Sequence, residues 1–262
     1  MTGIREPAVA GLFYPDDPQQ LRQQLKQFLG AGTPARSHPK ALIVPHAGYV
    51  YSGPVAASAY RLLAGLRDSI SRVVLLGPAH RVAFHGLAAT AMTHFATPLG
   101  LVRIDREAVN RLLELPQVHL LEEAHRQEHS LEVQLPFLQT LLGDGFSLVP
   151  LVVGDADGES VAEVIETLWG GPETLILISS DLSHYHDYHS AQRLDTATSQ
   201  AIEQLDWNAI DYEQACGRIP VTGLLRAARH HHLHATTLDQ RSSGDTAGGR
   251  DRVVGYGAYA FD

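Results

Sequence analysis

Cysteine is almost missing from this sequence. Cys216 is the only one in 262 residues, so no internal disulfide can staple the fold and a packed core must carry it. A positive balance is missing too. Twenty Lys and Arg face 29 Asp and Glu, for a net charge of −9, and the acidic residues are scattered. That excludes the basic face a nucleic-acid partner requires. No apolar run reaches the length of a membrane span. The first residues, Met1 to Glu6, lack the basic-then-apolar order of a secretory leader. The expected location is cytoplasmic, without a membrane partner. Histidine, by contrast, is plentiful at 15 residues. Several histidines fall in loops marked by glycine and proline, which directs attention to metal binding or acid–base chemistry.

The length suits one α/β domain over residues 1–262, with a large buried core. Four apolar runs, at residues 40–44, 71–76, 146–153 and 174–180, read as central strands buried on both faces. Asp17 caps a helix with Pro18 at its first position and Leu21, Leu25 and Phe28 on one face. Residues 31–39 read as a Pro/Ser/Gly linker. Pro54 is expected to open a helix reaching Leu66. Residues 87–92 and 100–104 are expected as two short strands. Ser130 is expected to start a helix that Pro136 strains, and residues 208–216 to form another helix. Strands alternating with helices imply a mixed, largely parallel sheet with helices on both sides.

Three strand ends carry chemistry. His46 follows the first central strand directly after Pro45, and His80 follows the second after Pro78. Ligands in open α/β sheets bind at the carboxyl ends of strands, and two neutral imidazoles suit Zn, Fe, Ni or Cu. Each could equally be a loop histidine bonded to backbone. Asp181 and His184 follow the strand at 174–180. They can supply a ligand, an acid–base pair or a carboxylate behind a ligand, or simply a helix cap and an exposed histidine. Glu128, before His129 and Ser130, offers a general base or a supporting carboxylate. Cys216 sits beside Arg218, which could lower the thiol's pKa and make it a ligand or nucleophile, but the spacing alone favours a small buried cysteine. The run His230-His231-His232-Leu233-His234 reads as a solvated helix end, open to adventitious metal.

Five short motifs, taken together and in order, resemble the Memo-like family. They are Pro45-His46-Ala47-Gly48-Tyr49, Leu76-Gly77-Pro78-Ala79-His80, Glu128-His129-Ser130-Leu131-Glu132, Ser179-Ser180-Asp181-Leu182-Ser183-His184-Tyr185 and Cys216-Gly217-Arg218. The opening Arg5-Glu6-Pro7-Ala8-Val9-Ala10-Gly11-Leu12-Phe13-Tyr14 matches as well, so the resemblance spans nearly the whole chain. Prokaryotic members are called AmmeMemoRadiSam system protein B. The resemblance implies a three-layer α/β/α sandwich like that of the LigB-type class III extradiol dioxygenases. It implies His46, His80 and Cys216 as metal ligands, with Asp181 and His184 lining the pocket as catalytic residues and His184 as acid–base catalyst. It implies Fe(II) or copper, with zinc as a third candidate, and dioxygenase-like redox activity on an unknown small molecule. Its implied partners are the radical-SAM and AMMECR-type proteins of the same system. A thiolate in place of the dioxygenases' carboxylate shifts the site toward softer metals. Animal members have a histidine before the proline where this chain has Ile219-Pro220. Two other readings use the same residues. One is a non-catalytic binding or scaffold protein that retains the dioxygenase fold. The other is a zinc hydrolase in which Asp181 or Glu128 activates water, although no His-Glu-x-x-His helix is present.

Overall fold

A computed structural model describes residues 3–30 and 38–262. The linker expected at 31–39 therefore falls, over 31–37, outside the described residues. In chain order the elements are β1 (Ile4–Arg5), α1 (Pro18–Leu29), β2 (Ala41–Val44), α2 (Tyr49–Tyr60), β3 (Arg72–Pro78), β4 (Leu87–Ala89), β5 (His94–Thr97) and β6 (Gly100–Arg103). Then come α3 (Arg106–Leu112), β7 (Val118–Leu120), α4 (Glu122–Arg126), α5 (Leu135–Leu142), β8 (Ser147–Val153) and α6 (Gly158–Thr167). The last are β9 (Thr174–Ser179), β10 (His184–His186), α7 (Tyr188–Glu203), α8 (Arg218–His230), β11 (Ala235–Ser242), α9 (Ser243–Thr246) and β12 (Val253–Phe261).

The four central runs form strands, and β2, β8 and β9 are buried along their whole length. Strands covered on both faces need apolar residues at every position, and these have them. Among the described residues the main sheet has nine strands. Eight run in the order β10-β12-β2-β9-β3-β8-β4-β7, and β11 pairs with β12. Its centre, β2-β9-β3-β8, is parallel, while β12 joins β2 and β4 joins β8 in antiparallel sense. Helices cover both faces, which makes the three-layer α/β/α sandwich. On one side α6 packs on α8, and α8 lies on β3 and β9; elsewhere α1, α2 and α5 pack on one another, with α2 on β12 and β2. A small second sheet, β1-β5-β6, ties down the N-terminal arm. Among the described residues no helix is long and apolar enough to cross a membrane.

Several local expectations change. Pro54 lies inside α2, which begins at Tyr49 with Gly48 as N-cap. The earlier start is set by Tyr49. Its ring is buried among Tyr14, Phe28 and Phe137, and its hydroxyl donates to Val133 O at 2.6 Å. Gly53 permits this packing, because a Cβ there would lie 2.5 Å from the Phe28 ring. Pro136 is the opposite case. Residues Glu132–Gln134 form a single 3-10 turn and α5 starts at Leu135. Pro136 thus sits in the first turn, where a missing N–H breaks nothing. The region 87–104 holds three strands rather than two, and the turn at Pro98 and Leu99 joins β5 to β6. Residues 208–216 are not a helix. Only Trp207–Ala209 makes one 3-10 turn, and α8 starts at Arg218.

Candidate metal centre

Strand order assembles the site. β9 lies between β2 and β3, and all three run parallel. Their carboxyl ends therefore deliver His46, Asp181 and His80 to one edge. Val44 pairs with Ser179 in register, so the loops leave the sheet at the same level.

The imidazole of His46 is oriented from behind. Its Nδ1 lies 2.9 Å from Ser179 Oγ. That hydroxyl donates its one proton to Ser130 O at 2.5 Å and accepts from Gln134 Nε2 at 2.8 Å. His46 Nδ1 must then be the donor, which leaves the Nε2 lone pair free. The backbone agrees: His46 N donates to Asp181 Oδ1 at 2.7 Å. His80 is held the same way. Its Nδ1 lies 2.9 Å from Glu128 Oε1, and its backbone N donates to Glu128 Oε2 at 2.6 Å. Burial raises the Glu128 carboxyl, but the hydrogen bond and charge of His80 overcome that and hold it down at about 2. An ionised carboxylate only accepts, so His80 Nδ1 also carries a proton and its Nε2 faces away from Glu128. Both imidazoles are thus anchored through Nδ1, as a metal-binding histidine is when a carboxylate or hydroxyl backs it. Glu128 also accepts from the His129 and Ser130 amides. With both oxygens committed, it serves as an orienting group and not as a free base.

Cys216 closes the third side. Its Sγ lies 3.3 Å from His46 Nε2 and accepts from the Asp181 amide at 3.3 Å. Gly217 permits the approach. Its N donates to Ser180 Oγ at 3.0 Å, and a Cβ on it would meet Ser180 Cβ at 2.6 Å. Ligand atoms of His46, His80 and Cys216 all lie within 4.8 Å of one another, a spacing that one ion can bridge with small adjustments. Of the two readings of Cys216 beside Arg218, the thiolate favoured by the arginine finds no support. Its guanidinium stacks 3.7 Å over Tyr212. Burial, then the nearby Asp181 charge, push the thiol well above its ordinary range. Burial, reinforced by His80, His129 and His184, holds His46 well below the usual imidazole range. His46 and Cys216 are therefore neutral donors when no cation is bound.

Asp181 and His184 line a cavity of about 410 Å³ on one side of these donors, together with Tyr51, His129 and Arg252. His184 Nδ1 donates to Leu182 O at 2.8 Å. The next residue, Tyr185, has a positive φ of 64° and is 64 % exposed at the cavity mouth. A non-glycine residue there carries strain of the kind that gathers at functional sites. Behind the loop, Asp195 of α7 accepts the Ser183 amide at 3.0 Å, and burial pushes its carboxyl up to about 6.

His129 went unassigned at the sequence level. Its ring stacks on His80 at 4.6 Å and lies 5.5 Å from His46. Among the described residues its Nδ1 is buried without a hydrogen-bond partner, 3.3 Å from Glu128 Oε1. Burial, then the His80 charge, lower it to about 4. His80, Glu128 and His129 form a second group of possible ligand atoms. The signal was there in Glu128-His129-Ser130, but this histidine arrives from the segment after α4 and not from a strand end. At the far end of α8, His230 and His231 approach Glu166. His231 Nε2 lies 2.8 Å from Glu166 Oε2, and the ring stacks on Trp169 at 3.9 Å. That end is more structured than a solvated run.

The profile of the family described as Memo-like protein matches residues 5–260. The chain is similar to a MEMO1 family protein of Saccharolobus solfataricus, 35% identical over 283 residues and covering 98% of this chain and 99% of that protein. A MEMO1 family protein of Aquifex aeolicus is 36% identical over 267 residues, covering 97% of each chain. One of Saccharolobus islandicus is 35% identical over 283 residues, covering 98% of this chain and 99% of the relative.

Proposed function

The chain belongs to the Memo-like family, and on that premise we propose that it is a redox-metal protein holding one Fe(II) or copper ion between His46, His80 and Cys216. The observation that carries this is the pair of imidazoles, each anchored through Nδ1, with a thiol 3.3 Å from His46 Nε2 and ligand atoms of all three residues within 4.8 Å of one another. Two nitrogens and one sulfur suit copper, zinc or thiolate-tolerant iron better than a hard cation. The His46 imidazole suits it too, because burial keeps it neutral, while the Cys216 thiol gives up its proton on binding.

A redox metal bound here supplies electron transfer and Lewis acidity. The remaining groups do the rest. His184 and Asp181 bind and orient a small molecule in the adjoining cavity, with His184 Nε2 available to take or give a proton. Ser179 and Glu128 fix the two imidazoles, and Tyr185 narrows the mouth. Dioxygenase-like oxidoreductase chemistry is favoured over zinc hydrolysis with Glu128 as base, because Glu128 is buried and engaged by His80 and by the His129 and Ser130 amides. The radical-SAM and AMMECR-type proteins of the same system are proposed as partners, in a cytoplasmic setting.

The test is metal analysis after anaerobic purification of the wild type and of His46→Ala, His80→Ala and Cys216→Ser. Near-stoichiometric iron or copper in the wild type and loss in each variant is expected. Unchanged metal in all three variants overturns the assignment. Oxygen uptake with candidate small molecules then separates turnover from a purely binding role.

A further inference from the structure

α8 begins directly after Cys216 and Gly217, and it carries a row of cations that the metal centre does not use. Arg218, Thr222 and Arg226 recur every four residues and so share one face. Among the described residues, Nε of both arginines is buried without a hydrogen-bond partner. Among the described residues neither guanidinium makes an ion pair. Aromatic faces hold them instead. Arg218 lies 3.7 Å over Tyr212, Arg226 lies 4.6 Å over Trp207, and Arg229 lies 5.3 Å over the same indole. Stacking fixes each guanidinium plane and leaves its edge donors free. Three unmatched cations in one patch run against a chain whose net charge is −9.

Arg218 and Arg226 open on a cavity of about 370 Å³, with Thr222, Asn208, Trp207 and Asp157 in its wall. Asp157 is the one carboxylate there, and it is committed as the cap of α6, accepting the Ser160 amide at 2.7 Å. Set against the two arginines that line the cavity it leaves a net positive charge, and Arg229 over the Trp207 indole adds to the field, which suits a phosphate anion. We propose that this cavity is a binding site for the phosphate group of a small organic phosphate monoester. Forked guanidinium donors suit phosphate oxygens bidentately, and Thr222 and Asn208 add neutral polar contacts.

Geometry also indicates where the organic part lies. Ile219 lines this cavity and a neighbouring one of about 500 Å³. The second is walled by Val82, Phe84 and Val153 and reaches Cys216. A phosphate at Arg218 and Arg226 therefore directs an apolar remainder toward the thiol side of the metal centre. This second step rests on the metal-centre reading; the phosphate site itself does not.

The experiment is isothermal titration with inorganic phosphate and with n-hexyl phosphate, at matched ionic strength so that screening is constant. The proteins are the wild type, the Arg218→Met/Arg226→Met double variant, Asn208→Asp and Cys216→Ser. Asn208 is exposed, so its variant tests the field of the site without risking the fold. Inorganic phosphate should bind the wild type one to one, weaken about tenfold or more in the double variant and weaken several-fold in Asn208→Asp. Hexyl phosphate should bind tighter than inorganic phosphate. Cys216→Ser should lose metal yet keep phosphate, which separates failure of this site from failure of the metal assignment. No phosphate binding by the wild type up to about 10 mM overturns the proposal, as does binding unaltered in both cavity variants. Equal affinity for the two probes overturns the apolar extension.

Discussion

Replacing Glu132 by glutamine should strip the N-terminal arm from the body of the protein. Glu132 is fully buried, and its carboxylate gathers four donors. Oε2 accepts from Arg5 Nη1 and the Ala8 amide, both at 2.7 Å; Oε1 accepts from the Val9 amide at 3.0 Å and the Tyr14 hydroxyl at 2.6 Å. Arg5, only 6 % exposed, spends its other donors on His125 O at 2.7 Å and Glu128 O at 2.6 Å. A glutamine keeps the volume, and its carbonyl can serve Val9 and Tyr14. Its amide nitrogen must then face Arg5 and the Ala8 amide, donor against donor. Two hydrogen bonds are lost and a buried cation is left without its counter-charge. Breaking a buried pair from one side costs about 3–5 kcal/mol, a large share of the roughly 5–15 kcal/mol that holds a protein together. Thermal melting should fall by roughly 10 °C for a chain of this size. Urea denaturation followed by circular dichroism measures the loss. A double-mutant cycle with Arg5→Met should show that the two changes together cost less than their sum, because the methionine removes the stranded charge. A Glu132→Gln variant within about 1 kcal/mol of wild type, or a zero coupling energy, would refute the argument.

Three other outcomes follow from the site. Glu128→Gln keeps an acceptor for His80 Nδ1 but removes its charge, so metal affinity should drop about 10–100-fold while the fold survives; equal metal retention on dialysis against a chelator counts against an orienting role. Because the Cys216 thiol is pushed up by burial and is protonated at neutral pH, metal binding should release one proton, and affinity should climb about tenfold per pH unit. In Cys216→Ser that slope should vanish, and its persistence would point to another titrating ligand. Burial raises Asp195 from 3.8 to about 6 in the folded chain, so the folded state holds the proton more tightly than the unfolded one. Its contribution is therefore fully present below pH 3.8 and is lost as the pH rises through about 6; above that, the ionised carboxylate costs on the order of 3 kcal/mol. Asp195→Asn should accordingly gain on the wild type between pH 4.5 and pH 8, and a stability difference that stays flat across that range contradicts the assignment.

How much of this was readable in the residues depends on whether the signal was local. Val44-Pro45-His46 and Gly77-Pro78-Ala79-His80 could be placed at strand ends, because an apolar run and a proline are properties of the segment itself. Their meeting could not. It depends on β9 lying between β2 and β3, and strand order is a property of the whole chain. Pro54 and Pro136 were misplaced for a related reason. The aromatic packing of Tyr49 moves the start of α2 five residues upstream of Pro54, and the 3-10 turn at Glu132–Gln134 moves the start of α5 down to Leu135. His129 escaped because nothing in its own neighbourhood says that its ring will stack on His80. The effect of Arg218 on Cys216 was judged from adjacency in sequence. Side-chain direction decides it, and the guanidinium turns to Tyr212.

The contact between Cys216 Sγ and His46 Nε2 joins residues 170 apart in the chain. Closing so long a loop is entropically unfavourable until other contacts have drawn the ends together. The donor set therefore exists only once β2, β9 and the start of α8 are all docked, which is late in any folding route. An ion that binds only this finished arrangement stabilises the native state by mass action and gives little to partly folded forms. Metal release and loss of the sheet should then occur as one event, so that occupancy reports whether the whole molecule is folded.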